Sequence, residues 1–191
     1  MSKIIEIRTD RLLLRQWCHD DYTPFATLNS DAEVMRYFPS RLNRKESDAL
    51  ASRIEALIAE RGWGFWAVEL IAQNSFIGFV GLHETTYEIP VTPCIEIGWR
   101  LAQEYWGNGY ATEAARASLD VAFTKLNIET IYSFTAVSNV KSRAVMEELN
   151  MVNMQRNFDH PMVPQDSPLR EHVLYKIKNP HDDGHGRDRA T

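Results

Sequence analysis

The stretch YWGNGYATEA, residues Tyr105–Ala114, constrains the fold of this chain more than any other. It follows an apolar run typical of a strand, and two glycines separated by one residue lead into good helix formers. Such a junction leaves the first N–H groups of the helix without backbone partners, at the positive end of the helix dipole. Gly107 and Gly109 permit close approach to the backbone because they lack a Cβ. We therefore expect a site for a phosphorylated ligand, although a plain tight turn would show the same two glycines.

Hydrophobic periodicity along the rest of the chain predicts the element order β-α-α-β-β-β-α-β-α-β-β. A first strand is expected in IRTDRLLLRQW, and another single strand in MVNMQRNF near the end. Asp20 or Asp21 is expected to cap the first helix, and a capping box of Asn43 with Glu46 predicts the start of the second. This order is typical of a mixed sheet with helices on both faces.

Length and composition favour a single domain over residues 1–178, followed by a disordered polar tail over residues 179–191 with almost nothing to bury. A net charge of −5 does not favour nucleic-acid binding, and no run is apolar enough for a signal peptide or a membrane span. Cys18 and Cys94 have no paired spacing, so we expect reduced thiols and a cytoplasmic protein. His181 and His185 lie in the tail without folded support, and no metal site is expected there.

Three phosphate-binding patterns are compared with the glycine turn. A dinucleotide fingerprint needs a third small residue where this chain has Thr112, and a P-loop needs a Gly-Lys-Ser/Thr that is absent. The third pattern is the acetyl-CoA turn of N-acetyltransferases. The blocks TDRLLLRQWCHDDY, EIGWRLAQEYWGNGYATEA and NVKSRAVMEEL, in this order, resemble the GNAT (Gcn5-related N-acetyltransferase) superfamily. The similarity spans Ile7 to Lys178 and is strongest to the branch containing ribosomal-protein N-terminal serine and alanine acetyltransferases.

The resemblance implies an α/β fold with a mostly antiparallel mixed sheet, helices on both faces and a central parallel strand pair that splays near Gly98. It also implies acetyl-CoA as co-substrate, with backbone N–H groups from Gly107 to Thr112 around the pyrophosphate. Backbone on the preceding strand would pair with the pantetheine arm as an added strand, and an N–H near Trp99 would stabilise the oxyanion. The residues expected to bind the co-substrate are Trp99, Arg100, Leu101, Trp106, Gly107, Asn108, Gly109, Tyr110, Ala111, Thr112, Asn139 and Ser142.

Two catalytic residues are expected from the same resemblance. Ser142 is the candidate partner of the leaving thiolate, because Met146 stands where many relatives have a Tyr; alternatively, Ser142 only caps its helix. Glu96 is the candidate base, directly or through a water, since a carboxylate in an apolar strand is costly without a role or a partner. In better-studied relatives the base lies one position earlier, at Ile95 here, and a β-bulge would correct that offset. A structural partner for Glu96 is the alternative.

The expected function is acetyl transfer to a primary amine, carried by a peptide N-terminus, a polyamine or a small molecule. In relatives the loop Phe158–Gln165 helps to shape the acceptor pocket, which makes Asp159 and His160 possible contacts; an ordinary Pro-rigidified loop is the alternative. The aromatic residues Trp63, Phe65 and Trp66 are expected in the core more than in the acceptor wall. A non-catalytic acyl-CoA-binding module and a nucleotide-binding protein of another kind are the rival interpretations. A monomer and a homodimer are both compatible with the sequence.

Overall fold

One mixed β-sheet organises the part of the chain that the computed structural model describes, residues 2–181. Its strands are β1 (Ile7–Arg8), β2 (Leu12–Arg15), β3 (Phe65–Leu70), β4 (Ser75–Glu84), β5 (Ile95–Leu101), β6 (Thr130–Ala136), β7 (Val152–Asn153), β8 (Phe158–Asp159) and β9 (Glu171–Lys178). The α-helices of this part are α1 (Tyr22–Ser30), α2 (Arg44–Arg61), α3 (Tyr110–Thr124) and α4 (Val140–Glu148).

The strand order is β1-β2-β3-β4-β5-β6-β9-β7, with β8 also paired to β9. Every described pair is antiparallel except β5 with β6. In that parallel pair Ile95 lies opposite Ile131 and Glu96 opposite Tyr132, and the pairing ends there. The expected mostly antiparallel mixed sheet with a splayed parallel pair is therefore confirmed. Its consequence is a gap between the second halves of β5 and β6, called the β5–β6 gap below.

Helices cover both faces of the sheet, and side chains of β5 reach both. Arg100 donates from Nη1 to Asn29 Oδ1 in α1 at 2.6 Å. Trp99 donates from Nε1 to Ser142 Oγ in α4 at 3.0 Å. Since α1 packs on α2 and α3 packs on α4, the sheet has an α1/α2 face and an α3/α4 face. The alternation of side chains along a strand assigns successive β5 residues to these faces in turn.

The second helix begins and ends as its sequence predicts. Asn43 Oδ1 accepts from the Glu46 N–H at 3.0 Å, and the Asn43 N–H donates to Glu46 Oε2 at 2.8 Å, which confirms the capping box. Gly62, with φ of 85°, ends the helix by donating its N–H to the Ile58 carbonyl. Ile54 and Ile58 are buried and turn the helix toward the core.

The first helix differs in how its start is stabilised. Asp21 directly precedes α1, as expected, but its side chain makes no cap hydrogen bond. Its buried carboxylate instead pairs with Arg15 at 2.8 Å and accepts from the Cys18 N–H at 2.9 Å. A charged guanidinium is the stronger partner for a buried carboxylate, so the ion pair replaces the cap.

Two strands predicted as continuous are divided. The run IRTDRLLLRQW, predicted as one strand, is a hairpin of β1 and β2, because Thr9 Oγ1 accepts from the Leu12 N–H at 2.9 Å and closes a turn between them. The run MVNMQRNF contains β7 and the start of β8, separated by Gln155, whose φ of 54° is incompatible with an extended strand. Both predictions of a single strand are therefore wrong.

The last described residues are attached to the sheet region. The Asn179 N–H donates to the Glu129 carbonyl at 2.8 Å, and Asn179 Nδ2 donates to the Phe123 carbonyl at 3.3 Å. The predicted disorder of the tail concerns mainly residues 182–191, which lie outside the described residues. Over residues 2–181 no helix is long and apolar enough to cross a membrane.

Candidate active site

The glycine turn presents a row of unused backbone donors. Gly107 and Gly109 adopt φ of 75° and 78°, and Gly109 is the N-cap of α3. Within residues 2–181, the six N–H groups from Gly107 to Thr112 make no hydrogen bond. A Cβ on Gly107 would meet no atom within 4 Å, so the space above the turn is open. These donors, at the positive end of a helix, fit the pyrophosphate of CoA.

Side chains hold this turn in place on both sides. Trp106 donates from Nε1 to the Leu101 carbonyl at 2.8 Å, and Asn108 donates from Nδ2 to the Trp106 carbonyl at 3.1 Å. Arg11 donates from Nη1 to the Asn108 carbonyl at 3.0 Å and from Nε to Glu113 Oε2 at 2.6 Å. The contribution of Arg11 was not foreseen from the sequence, because its partners lie about a hundred positions away.

A second cation stands next to the turn. Lys141 Nζ lies 4.4 Å from the centroid of the Trp106 ring, as a cation–π contact. Lys141 is exposed and belongs to the first turn of α4, directly before Ser142. Because Arg11 is paired with Glu113, Lys141 is the cation beside the turn whose charge complements a phosphate.

Backbone groups of β5 face the β5–β6 gap at alternate residues. Ser133 Oγ on β6 donates to the Ile97 carbonyl at 3.0 Å, so the odd-numbered positions point toward β6. The Ala102 N–H donates to a carbonyl of β4 at 2.9 Å, so the even-numbered positions point the other way. Trp99 and Leu101 therefore turn their backbone groups to the gap, as expected for an added strand. The expectation for Arg100 is wrong in this respect, because its backbone faces β4.

Ser142 contacts the strand that lines the gap. Its hydroxyl oxygen accepts the Trp99 indole N–H, which leaves the hydroxyl hydrogen free to donate. The helix is capped by Asn139, whose Oδ1 accepts from the Ser142 N–H at 3.3 Å while its Nδ2 donates to Thr135 Oγ1 at 2.9 Å. Ser142 therefore does not act as the cap. The contact of Asn139 with a pantetheine arm stays a prediction.

Glu96 lies on the α1/α2 face at the closed end of the gap. Its carboxylate has no hydrogen bond or ion pair among residues 2–181, and burial raises its pKa to about 8. His83 is directly opposite on β4, in a register that runs without a shift from Gly78 to Glu84. A β-bulge would have let Glu96 take the position of the base in better-studied relatives, which aligns with Ile95. No such bulge is present in the β4–β5 pair. No structural partner for Glu96 is found in the described part of the chain.

The floor beside Glu96 is formed by Gly98 and Phe65. A Cβ on Gly98 would meet the Phe65 ring at 3.3 Å, and the Phe65 ring stacks on His83 with centroids 5.4 Å apart. Trp66 is fully buried, as expected for a core residue. Phe65 is only half-buried and lies on the α1/α2 face, which the sequence had not distinguished from the core.

Rings from the strands beyond the gap line the same face. His160 lies 4.9 Å from Tyr87, 5.7 Å from Phe134 and 4.7 Å from His172, between ring centroids. Burial, together with the charge of His172, lowers the pKa of His160 to about 4, and burial also lowers the pKa of His172. Burial and the charge of Glu96 raise the pKa of Tyr87, which places this cluster within electrostatic range of Glu96.

Of the two residues expected to contact the acceptor from the segment Phe158–Gln165, Asp159 at the end of β8 and His160 after it, only His160 belongs to this cluster. Asp159 is exposed and pairs with Arg170 at 3.1 Å, so its carboxylate has a structural partner. His160 contacts the rings named above. Tyr87 and His172 were not expected, because their position depends on the sheet register and not on a local motif.

Arg100 extends from β5 into a cleft on the α1/α2 face. Its guanidinium carbon lies 4.0 Å from the centroid of the Phe38 ring and 5.3 Å from that of Phe79. Burial lowers its pKa to about 10. The cleft has a volume of about 670 Å³, and its lining is Met35, Phe38, Pro39, Ser40, Leu42, Glu46, Ala49, Leu50, Arg53 and Arg100.

No metal-binding arrangement is present over residues 2–181, where no group of three or more His, Cys, Asp or Glu side chains could hold an ion. His181 is exposed, and its expected partner His185 lies outside the described residues.

Known proteins resemble this chain in sequence and in fold. A family model described as an acetyltransferase (GNAT) domain matches residues 11–152. Spermidine N(1)-acetyltransferase of Vibrio cholerae is 36% identical over 142 residues, covering 74% of this chain and 79% of that protein. The crystal structure of a Vibrio cholerae spermidine N-acetyltransferase in complex with CoA and spermine has a TM-score of 0.70 at 25% identity, over 90% of this chain and 97% of that one.

Ribosomal-protein-S5-alanine acetyltransferase from Vibrio fischeri shares the fold, with a TM-score of 0.70 at 17% identity over 93% of this chain and 98% of that one.

Proposed function

Because this chain belongs to the GNAT family of acetyltransferases, we propose that it transfers the acetyl group of acetyl-CoA to a primary amine by direct attack. Acetyl-CoA supplies an activated thioester, and residues of the chain supply the binding, the proton transfer and the stabilisation of charge. The observation that carries the proposal is the row of free N–H groups from Gly107 to Thr112 beside a gap in the sheet, at whose closed end stands Glu96.

The co-substrate side is the α3/α4 face. The N–H groups of the glycine turn bind the pyrophosphate; Arg11 holds the turn through the Asn108 carbonyl, and Lys141 adds positive charge beside it. The backbone edges of Trp99 and Leu101 in the gap hold the pantetheine arm as a strand is held by its neighbour. This arrangement leaves Ser142, which contacts Trp99, near the thioester.

The acceptor side is the α1/α2 face, where Glu96 takes the proton from the attacking nitrogen. A base with a pKa of about 8 can both bind and release a proton near neutral pH. Its freedom from structural partners supports this role, since a buried carboxylate without a partner is costly. Glu96 acts on the amine directly or through one water.

The remaining groups stabilise the charges that develop during transfer. As the C–N bond forms and the C–S bond breaks, the backbone N–H of Trp99 donates to the carbonyl oxygen of the acetyl group. The Ser142 hydroxyl donates to the departing sulfur. The proton lost by the amine is held on Glu96, and the electron pair of the broken C–S bond leaves with the sulfur.

A peptide N-terminal α-amine is the acceptor that these groups favour. An α-amino group has a pKa of about 7.7–8.0, close to that of Glu96, whereas an alkyl ammonium has a pKa of about 10.4. The cluster of rings around His160 carries uncharged imidazoles at His160 and His172, because burial lowers the pKa of both. The nearby Asp159 is committed to Arg170. A cluster without a free negative charge binds the further ammonium groups of a polyamine only weakly.

The proposal is tested by thiol release from acetyl-CoA with three acceptors: a short peptide beginning with Ser or Ala, the same peptide with a blocked N-terminus, and spermidine. We expect release with the free peptide, little with spermidine and none with the blocked peptide. Turnover with spermidine but not with the free peptide would reject the peptide acceptor, while the assignment as an acetyltransferase would stand. Binding of acetyl-CoA without thiol release from any amine would favour a non-catalytic acyl-CoA-binding module.

A further inference from the structure

We infer that Arg100 forms an anion subsite on the acceptor face, and that the natural acceptor is a small primary amine that also carries a carboxylate. This inference rests on the proposed function, because it assigns one end of the acceptor to Glu96 and the other to Arg100. It narrows the acceptor from any exposed α-amine to an amino-acid-like molecule or a short peptide with its own free carboxyl group.

The first argument is that Arg100 is a cation without a countercharge. Nη1 donates to the neutral side chain of Asn29 at 2.6 Å, and within residues 2–181 the guanidinium has no ion pair. Its Nε is buried and makes no hydrogen bond to the protein. An unpaired buried charge is costly, and a guanidinium fork matches the two oxygens of a carboxylate.

The second argument is the relation of Arg100 to the base. Glu96 and Arg100 lie on the same face of β5, four residues apart, with only Gly98 between them on that face. At about 3.3 Å per residue, their Cα atoms are about 13 Å apart. Gly98 contributes no side chain of its own here, and the Phe65 ring lies over it, 3.3 Å from where a Cβ would stand. A di- or tripeptide that spans from the amine at Glu96 to a carboxylate at Arg100 therefore has to pass over this ring.

The third argument is the charge of the cleft that contains Arg100. Its charged lining residues are Arg100, Arg53 and Glu46. The Glu46 carboxylate already accepts from the Asn43 N–H at 2.8 Å, as part of the capping box. The remaining balance is positive, which attracts an anionic group and repels a second ammonium.

The test compares trialanine with its C-terminal amide, because the two differ in one charge and share the reacting α-amine. We expect kcat/KM for trialanine to exceed that for the amide at least tenfold. In Arg100→Gln this ratio falls to about one. Arg44→Gln removes an exposed cation of α2 that pairs with Asp48 and does not line the cleft, and it keeps the wild-type ratio.

A second readout does not need turnover. N-acetyl-trialanine and its amide cannot react, and their affinities for the CoA-bound protein are measured by calorimetry. Tighter binding of the acid in wild type, lost in Arg100→Gln, supports the subsite even if neither peptide is acetylated. A ratio near one in both readouts for wild type overturns the inference; acetylation of both peptides at equal rates overturns it while leaving the proposed function intact.

Stability separates a binding role from a purely structural one. Arg100→Met leaves the buried Asn29 Oδ1 without its donor, so some loss of melting temperature is expected from the structural contact alone. The subsite predicts something further: N-acetyl-trialanine raises the melting temperature of the CoA-bound wild type more than its amide does, and this difference is absent in Arg100→Met. Equal shifts for the acid and the amide in wild type contradict the subsite.

Discussion

Glu96, the proposed base, shows how its surroundings raise the pKa of one carboxylate. It belongs to a strand between two covered faces, where burial desolvates the carboxylate and no donor compensates its charge. The titratable groups around it are His83 and Tyr132, which lie opposite it on β4 and β6, together with Tyr87 and Cys94, and none of them forms a hydrogen bond with it. Burial alone therefore raises its pKa, which distinguishes it from a carboxylate held in an ion pair.

Glu96→Gln is expected to abolish the acidic limb of the pH–rate profile. In wild type, kcat/KM should rise with pH through an apparent pKa of about 8, because only the ionised carboxylate accepts a proton. The Gln variant should lose at least about a hundredfold in kcat and show no inflection there. An unchanged inflection in the variant would remove Glu96 from the mechanism.

The same substitution is expected to change how stability depends on pH. The pKa of Glu96 is raised from 4.5 in the unfolded chain to about 8 in the fold, so the folded state binds its proton more tightly. The resulting stabilisation is complete below about pH 4.5 and is lost as pH rises through 8. Relative to Glu96→Gln, wild type should therefore lose stability across that window, as measured by urea denaturation at several pH values. A constant difference would show that the carboxylate is not buried in the fold.

Ser142→Ala is expected to lower kcat at least tenfold. The variant removes the donor to the departing sulfur and also leaves the Trp99 indole N–H without its acceptor, at a cost of about 1 kcal/mol in stability. Ser138→Ala, two residues before the helix on an exposed turn, serves as control and should leave kcat unchanged. Equal turnover in the two variants would mean that Ser142 only supports Trp99.

At the scale of elements, the decisive unit is the junction of β5, the glycine turn and α3. Its geometry depends on two positive φ values and on contacts with β1–β2 through Arg11, whose backbone N–H donates to Glu113 at 3.2 Å. The turn was predictable because glycine spacing and helix propensity are local properties. The brace from Arg11 was not, since it joins residues 102 positions apart.

Gly107→Ala is expected to weaken acetyl-CoA binding at least tenfold with a stability loss of about 1 kcal/mol for the left-handed residue. Its Cβ would project into the open space above the turn, where the phosphates are expected. Gly62→Ala is the matched control: φ is 85°, and its Cβ would meet the Lys3 carbonyl oxygen at 2.6 Å, far from the turn. It should lose stability and keep its affinity. Titration calorimetry measures affinity, and the reverse pattern would contradict the assignment of the turn.

Other elements show where sequence reasoning succeeds and fails. The capping box of Asn43 with Glu46 was predictable because caps depend on neighbouring residues. The division of the first strand was not, because it depends on one Thr9 hydroxyl. The prediction for the Arg100 backbone was wrong. The sequence did contain the information on its side chain: Glu96 and Arg100 are both even-numbered residues of one strand, so their side chains lie on the same face.

At the scale of the whole molecule, the β5–β6 gap connects two chemically different faces. The α3/α4 face offers N–H groups and cations around the glycine turn, and the α1/α2 face offers Glu96, uncharged rings and a cleft with a free arginine. In the proposed mechanism neither face alone can carry out the transfer. Because family members act on different acceptors, the fold accounts for the shared chemistry, and we expect the residues of the α1/α2 face to decide the acceptor.

The measurement that tests this account most directly is the amount of amide formed and of free CoA thiol released in one reaction with acetyl-CoA and a short free peptide. The account predicts equal amounts of both products, formed only with the unblocked α-amine. Thiol release without amide would indicate hydrolysis at an unprotected thioester and contradict attack by the amine. Bound acetyl-CoA with neither product, for any amine, would contradict acetyl transfer itself.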